Sequence, residues 1–199
     1  MRAYCLFIAL GVGMCDDSTM YPVEDANRLD AGGGGKCTYW YNMHPSMIGN
    51  GRPIVNVAAC SIHSADVGKG NATNNVTRTY AHTLGAHDGV EDDDAGHILA
   101  HNLGGCGTCP INIFPQSPHV NRGAWKEFEE NIAKCLDVAS QANLSWKFVY
   151  QSNNDWRPFA VKYLVQYHRG CDDTSTLFSN EGSTNGKNPT DSTRKKMRY

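Results

Sequence analysis

Between Asp92 and Glu130 the chain concentrates residue types that carry acid–base and metal chemistry. An acidic stretch, Asp92-Asp93-Asp94, runs through Ala95-Gly96 into His97. A Gly-His step after an acidic loop can present an imidazole on an exposed turn. Histidine, whose ordinary pKa lies near neutrality, suits general-base work there. Three amide side chains follow, Asn112, Gln116 and Asn121. An amide oxygen is a neutral, hard ligand suited to a hydrated Mg²⁺. Glu129 lies eight residues after Asn121. Eight helical steps leave about 80° of offset, so both side chains can address one site. A base beside a hydrated divalent ion is a kit for metal-assisted phosphodiester hydrolysis.

Other chemistries fit this chain less well. His97 and His101 are four apart, like two zinc ligands on one helical face, but Ile98 stands where a zinc protease needs glutamate. Gly35-Lys36 lacks both the upstream glycine and the hydroxyl residue of a phosphate loop, since Asp30 and Cys37 occupy those positions. Cys106-Gly-Thr-Cys109 reads as disulfide-forming rather than as a zinc half-site or a redox pair, the two cysteines bonding to each other or elsewhere. The run Glu91 to Asp94 has no calcium-loop pattern after it and reads as a solvated loop.

Several elements must position this segment. From Trp125 the apolar residues Trp125, Phe128, Ile132, Cys135, Leu136 and Ala139 recur at three and four. That spacing predicts an amphipathic helix whose outer face carries Lys126, Glu127, Glu130 and Lys134. Pro53 to Cys60 reads as a buried strand, and Thr77 to Leu84, β-prone and partly alternating, as another. Leu144 to Tyr150 and Phe159 to His168 read as two more, joined through Trp156-Arg157-Pro158. Gly68 to Asn75 reads as an exposed loop.

The whole chain has 199 residues, 40% hydrophobic and 19% charged, a globular profile with room for one ordinary domain. Its 18 basic and 20 acidic residues give a net charge of −2, which argues against a mainly electrostatic nucleic-acid binder. Residues 1–15 have the layout of a signal peptide: Met1-Arg2, an apolar run from Ala3 to Val12, then small residues. That run is too short to span a bilayer, and no later segment predicts a membrane anchor. Residues 16–35 read as a flexible polar segment, 36–171 as the folded domain, and 172–199 as a disordered tail with a basic end. Of the eight cysteines, Cys5 and Cys15 belong to or border the leader. The others, Cys37, Cys60, Cys106, Cys109, Cys135 and Cys171, suffice for three disulfides of unspecified pairing. Sequons at Asn71, Asn75 and Asn143 agree with secretion.

The central segment resembles the DNA/RNA non-specific endonuclease family. That family's Asp-Arg-Gly-His tetrad reads Asp94-Ala95-Gly96-His97 here. Its Asn-(Ile/Leu)-x-Pro-Gln block reads Asn112-Ile113-Phe114-Pro115-Gln116. Its Asn-x-Gly-x-Trp-x-x-(Leu/Phe)-Glu block reads Asn121-Arg122-Gly123-Ala124-Trp125-Lys126-Glu127-Phe128-Glu129. The resemblance covers about forty residues and implies an α+β, ββα-metal fold: a central antiparallel sheet with the metal site on an amphipathic helix. It implies a secreted endonuclease hydrolysing DNA and RNA to 5′-phosphate products with weak sequence preference.

By the same resemblance His97 is the general base. Asn121 is the protein ligand of one hydrated Mg²⁺ (Mn²⁺ being the alternative ion), and Glu129 holds that ion's waters. Asn112 and Gln116 organise the site, and Asp94 supports the turn that presents His97. Ala95 departs from the tetrad's arginine, so another cation must meet the substrate phosphate, with Arg122, Arg78, His101 and Lys126 as candidates. The competing reading is a catalytically impaired nucleic-acid-binding or effector module on the same fold. Scavenging, defence, venom use and delivery into a host cell all fit a secreted nuclease.

Overall fold

Alternating side chains build the sheet, and helical spacing supplies the layer that covers one face of it. The computed structural model describes residues 27–30, 36–43 and 53–181. The leader, most of the polar segment and the basic chain end lie outside the described residues.

Six strands form an antiparallel sheet: β1 (Asn27–Asp30), β2 (Lys36–Met43), β3 (Pro53–His63), β6 (Gln141–Val149), β7 (Ala160–Tyr167) and β8 (Thr174–Ser179). They lie in the order β1-β2-β3-β6-β7-β8. A separate two-stranded ribbon pairs β4 (Asp94–His97) with β5 (Ile113–Gln116). The α-helical segments among the described residues are α1 (Asn75–His87), α2 (Pro118–Val120) and α3 (Lys126–Ala139). A wide π-helical turn, Asn121–Trp125, joins α2 to α3 and is broken at Gly123. Ribbon, turn and α3 together form the ββα unit.

In β6 the alternation is complete, with Ala142, Leu144, Trp146 and Phe148 buried. On β7, Val161, Tyr163 and Val165 point to the same core. The wide turn places Trp125, and helix α3 places Ile132 and Leu136, against them, while Lys126, Glu127, Glu130 and Lys134 are exposed as the periodicity predicts. Each such large apolar side chain contributes about 2 kcal/mol of burial free energy. A second cluster, Ile54, Tyr80, Ala81, Leu84, Ile113 and Trp156, seats α1 against the β4–β5 ribbon.

The structure corrects three expectations. Thr77 to Leu84 is helical. The Asn74 side chain accepts from the Thr77 amide at 3.0 Å and Thr77 Oγ1 accepts from the Asn74 amide at 3.1 Å, a capping box that starts α1. Its buried residues, Thr77, Tyr80, Ala81 and Leu84, follow helical spacing, so packing and the cap override the β-propensity of the threonines. The domain also continues past residue 171. Strand β8 pairs with β7 and buries Phe178, because Phe178 closes the aromatic cluster with Trp125 and Phe128. Within the polar segment, Asn27–Asp30 pairs with β2 as an edge strand.

All six expected cysteines are paired: Cys37–Cys60, Cys106–Cys109 and Cys135–Cys171. The first links directly opposed residues of β2 and β3. The second closes a tight loop between β4 and β5, and the third ties α3 to the β7–β8 connection.

Candidate active site

The ββα unit brings the sequence-predicted residues to one region of the fold. In the ribbon, Asp94 lies opposite Gln116, Gly96 opposite Phe114 and His97 opposite Ile113. Glycine at position 96 has a steric reason. A Cβ there would sit 2.2 Å from Oε1 of Gln116, whose buried side chain lies over that backbone.

His97 is half-buried at the end of β4, and its Nε2 lies 3.2 Å from the carbonyl oxygen of Asn71. A carbonyl only accepts, so Nε2 carries the proton and the neutral ring has its lone pair on Nδ1. Burial lowers the His97 pKa and the nearby His101 adds to this, while the Asn71 carbonyl partly opposes it. The net effect favours the neutral, basic form. Asn71 is held in turn: its Oδ1 accepts from Gly107 N at 2.7 Å, and Gly107 O accepts from Thr77 Oγ1 at 2.8 Å. The Cys106–Cys109 loop therefore braces both the partner of His97 and the start of α1.

Asn112 is buried and fully engaged. Its Oδ1 accepts from Leu99 N at 2.9 Å and from Tyr39 Oη at 2.8 Å. Its Nδ2 donates to Leu99 O at 3.0 Å and Cys106 O at 3.1 Å. It clamps the chain that follows His97 and contacts neither the imidazole nor any of the acidic groups. Asn121 begins the wide turn, and its Nδ2 donates to Asp94 Oδ2 at 2.9 Å. Arg122 grips the same carboxylate in a bidentate pair, Nε to Oδ2 at 2.8 Å and a terminal nitrogen to Oδ1 at 2.6 Å. Partial burial alone would raise the Asp94 pKa. The hydrogen bonds from Arg122 and Asn121, with the charges of Arg122 and His82, outweigh it and hold the carboxyl below its ordinary value. Asp94 is thus an acceptor for two neighbours.

Glu129 sits on the inner face of α3 and accepts from Trp125 Nε1 at 2.6 Å. Burial pushes its carboxyl well up, and the indole hydrogen bond offsets part of that. Gln116 is buried with Oε1 unpaired among the described residues. With the amide nitrogen of Asn121 committed to Asp94, its Oδ1 is the atom available to a cation. Gln116 Oε1, Asn121 Oδ1 and the Glu129 carboxyl are all hard oxygen donors. That set fits a hydrated Mg²⁺ and not a thiolate or imidazole metal.

A cleft of about 240 Å³ lies over Asp94, Asn121 and Arg122, and neither His97, Gln116 nor Glu129 lines it. It is lined by Arg78 and His82 from α1, Asp94 and Ala95 from β4, and Asn121 and Arg122 from the turn. His101 is exposed, with its ring 5.8 Å from that of His97, and does not line the cleft. Lys126 pairs with Glu130 at 3.8 Å.

The sequence profile of the DNA/RNA non-specific endonuclease family matches residues 52–168, which span the sheet core, the ribbon and α3. This chain belongs to that family. The DNA/RNA non-specific endonuclease domain also resembles solved structures of NucA from Streptococcus agalactiae. The magnesium-bound form superposes with a TM-score of 0.50 at 16% identity, over 79% of this chain and 84% of that one. The metal-free form gives 0.50 at 14% identity over the same shares. At such identity the likeness concerns the fold, which is the ββα-metal fold. Among curated proteins, the probable deoxyribonuclease RhsA of Dickeya dadantii (strain 3937) is 32% identical over 69 residues. Those residues are 35% of this chain and 5% of RhsA, so the chain corresponds to a small part of that relative.

Two contributors escaped the sequence reading. The Asn71 carbonyl is a backbone group, which no side-chain pattern announces. His82 was placed on a strand; one turn after Arg78 on α1, it faces the cleft.

Proposed function

We propose that this nuclease-family chain is a secreted, Mg²⁺-dependent endonuclease that hydrolyses phosphodiester bonds in both DNA and RNA. The observation that carries the reading is the placement of His97: half-buried at the end of β4, with Nε2 donating to the Asn71 carbonyl, Nδ1 not engaged by that bond, and its pKa lowered by burial. Nδ1 takes the proton from the attacking water. Asn121 Oδ1 would hold the cation, with Asp94 orienting the amide through Nδ2. Glu129, one oxygen of which accepts from Trp125, would hold water around that ion. Gln116 Oε1 is a further buried acceptor without a partner among the described residues. When bound, Mg²⁺ supplies charge stabilisation to the phosphate and the leaving oxygen. A site that reads phosphate need not distinguish DNA from RNA.

Secretion is supported by the three disulfides, which suit an oxidising compartment. Among the described residues no helix is long and apolar enough to cross a membrane. Ala95 in place of the tetrad's arginine favours the competing reading, a binding or effector module without turnover.

Digestion of plasmid and total RNA, with Mg²⁺ and with EDTA, decides between them. The expected result is EDTA-sensitive cleavage of both substrates, lost in H97A with the fold retained. Purified, folded protein that cleaves neither substrate overturns the enzymatic reading.

A further inference from the structure

Any nucleic acid entering the cleft must find a cation there, because position 95 carries only a methyl group. The four sequence candidates are not equivalent in space. Arg122 has Nε and a terminal nitrogen on Asp94, so its charge is matched by a carboxylate. Lys126 faces Glu130 on the outside of α3. His101 is exposed beside His97 and, like it, does not line the cleft, so it stands apart from Ala95. Arg78 lines the cleft, is solvent-exposed, and is anchored without being neutralised. Its Nε donates to Thr73 Oγ1 at 3.2 Å and its Nη2 to the Thr73 carbonyl at 3.1 Å. Both acceptors are uncharged. A guanidinium has five N–H donors, so three are not used by Thr73, and the fork is held in place before a ligand arrives. His82, one turn along the same face of α1, adds a second nitrogen donor beside Ala95.

We propose that Arg78, assisted by His82, forms the phosphate-binding subsite of this cleft, gripping a backbone phosphate of the nucleic acid. The inference rests on the nuclease reading above and assigns its substrate contact. The subsite takes non-bridging phosphate oxygens, which DNA and RNA share, and its geometry comes from α1 and not from the ribbon. Thr73 is a positioning residue that aims the guanidinium.

The test measures binding and turnover separately on the full chain. Binding of a fluorescent 20-base-pair duplex is followed by anisotropy in EDTA over a series of KCl concentrations. Loss of one phosphate contact lowers the slope of log affinity against log salt by about 0.9. R78A is expected to show that decrement and to weaken binding about ten-fold or more. In Mg²⁺ its loss of kcat/KM is expected chiefly as a raised KM. R78K keeps the charge without the fork and is expected to retain the salt slope while recovering only part of kcat/KM. H82A is expected to follow R78A with a smaller effect. Thermal melting checks each fold; if R78A melts early, R78K against wild type carries the comparison.

A wild-type salt slope and KM in R78A overturn the subsite, as does an R78K that matches R78A in slope. Wild-type protein that binds with the predicted slope but cleaves nothing overturns the enzymatic reading and leaves the subsite standing.

Discussion

Asp94 Oδ2 accepts from the amide nitrogen of Asn121 at 2.9 Å, across 27 residues of chain. That bond selects one of two amide orientations and keeps Oδ1 for other partners. Arg122 completes the arrangement by keeping the carboxylate ionised, and an ionised carboxylate only accepts. D94A is therefore expected to weaken Mg²⁺ dependence by about 10- to 100-fold, as loss of an orienting neighbour does at metal sites. A Mg²⁺ titration of cleavage rate checks it. An unchanged half-saturating concentration counts against the orienting role.

Burial and the His101 ring both lower the His97 pKa. Activity requires the neutral ring, so the acid limb of kcat/KM is expected below the ordinary histidine value of 6.5. Activity is lost as pH falls through that limb. H101A removes the neighbour whose electrostatic effect lowers the His97 pKa and is expected to move the limb upward. A limb above pH 7 in wild type, or a downward move in H101A, contradicts the assignment.

Glu129 and Trp125 form a buried pair four residues apart. E129Q retains an acceptor for the indole and removes a carboxylate whose burial disfavours its charge. Stability is expected to hold or rise, while turnover falls. E129A leaves the indole N–H unpaired and is expected to cost about 1–3 kcal/mol. Urea melts of the two variants separate these outcomes, and equal destabilisation would contradict the pairing argument.

The disulfides divide stability from activity. Cys135–Cys171 closes a separation of 36 residues and Cys106–Cys109 one of 3. By loop entropy their removal costs about 4 and about 2 kcal/mol respectively. Yet the short loop holds Asn71 through Gly107 N and Asn112 through Cys106 O. The double variant C106S/C109S is thus expected to lose more activity than C135S/C171S at a temperature where both are folded. The reverse ranking of activities would disconnect that loop from His97.

The residue after the last described strand also holds the domain together. Asn180 accepts from Ser117 N at 2.8 Å and donates to Pro115 O at 3.0 Å and Pro158 O at 2.8 Å. Its own carbonyl accepts from Arg157, which makes a buried pair with Asp93 at 2.6 Å. N180A is expected to cost about 3 kcal/mol, and D93N about 3–5 kcal/mol for the unpaired guanidinium. Denaturant titration measures both. Truncation after Cys171 is expected to prevent folding; a stable truncated protein would return residues 172–181 to the status of a tail.

Residue order alone is enough for the features that are local and periodic. The three-four spacing from Trp125 to Ala139 is enough to specify α3 and its buried face, and the alternation in β6 and β7 needs only neighbouring residues. The Gly-His step and the amide blocks identify the kind of chemistry, because residue type alone sets what each group can donate, accept or ligate. The tertiary structure decided the rest. Thr77 to Leu84 became a helix because the Asn74 cap and the packing of Tyr80, Ala81 and Leu84 outweigh weak strand propensity. Strand β8 is short and polar on one face, so only its pairing with β7 and the burial of Phe178 distinguish it from a tail. The partner of His97 is a carbonyl 26 residues away, and every residue has a carbonyl. Arg78 and Ala95 meet only because α1 packs against the ribbon. Such contacts join distant segments, and residue order carries no distance between them until the chain has closed.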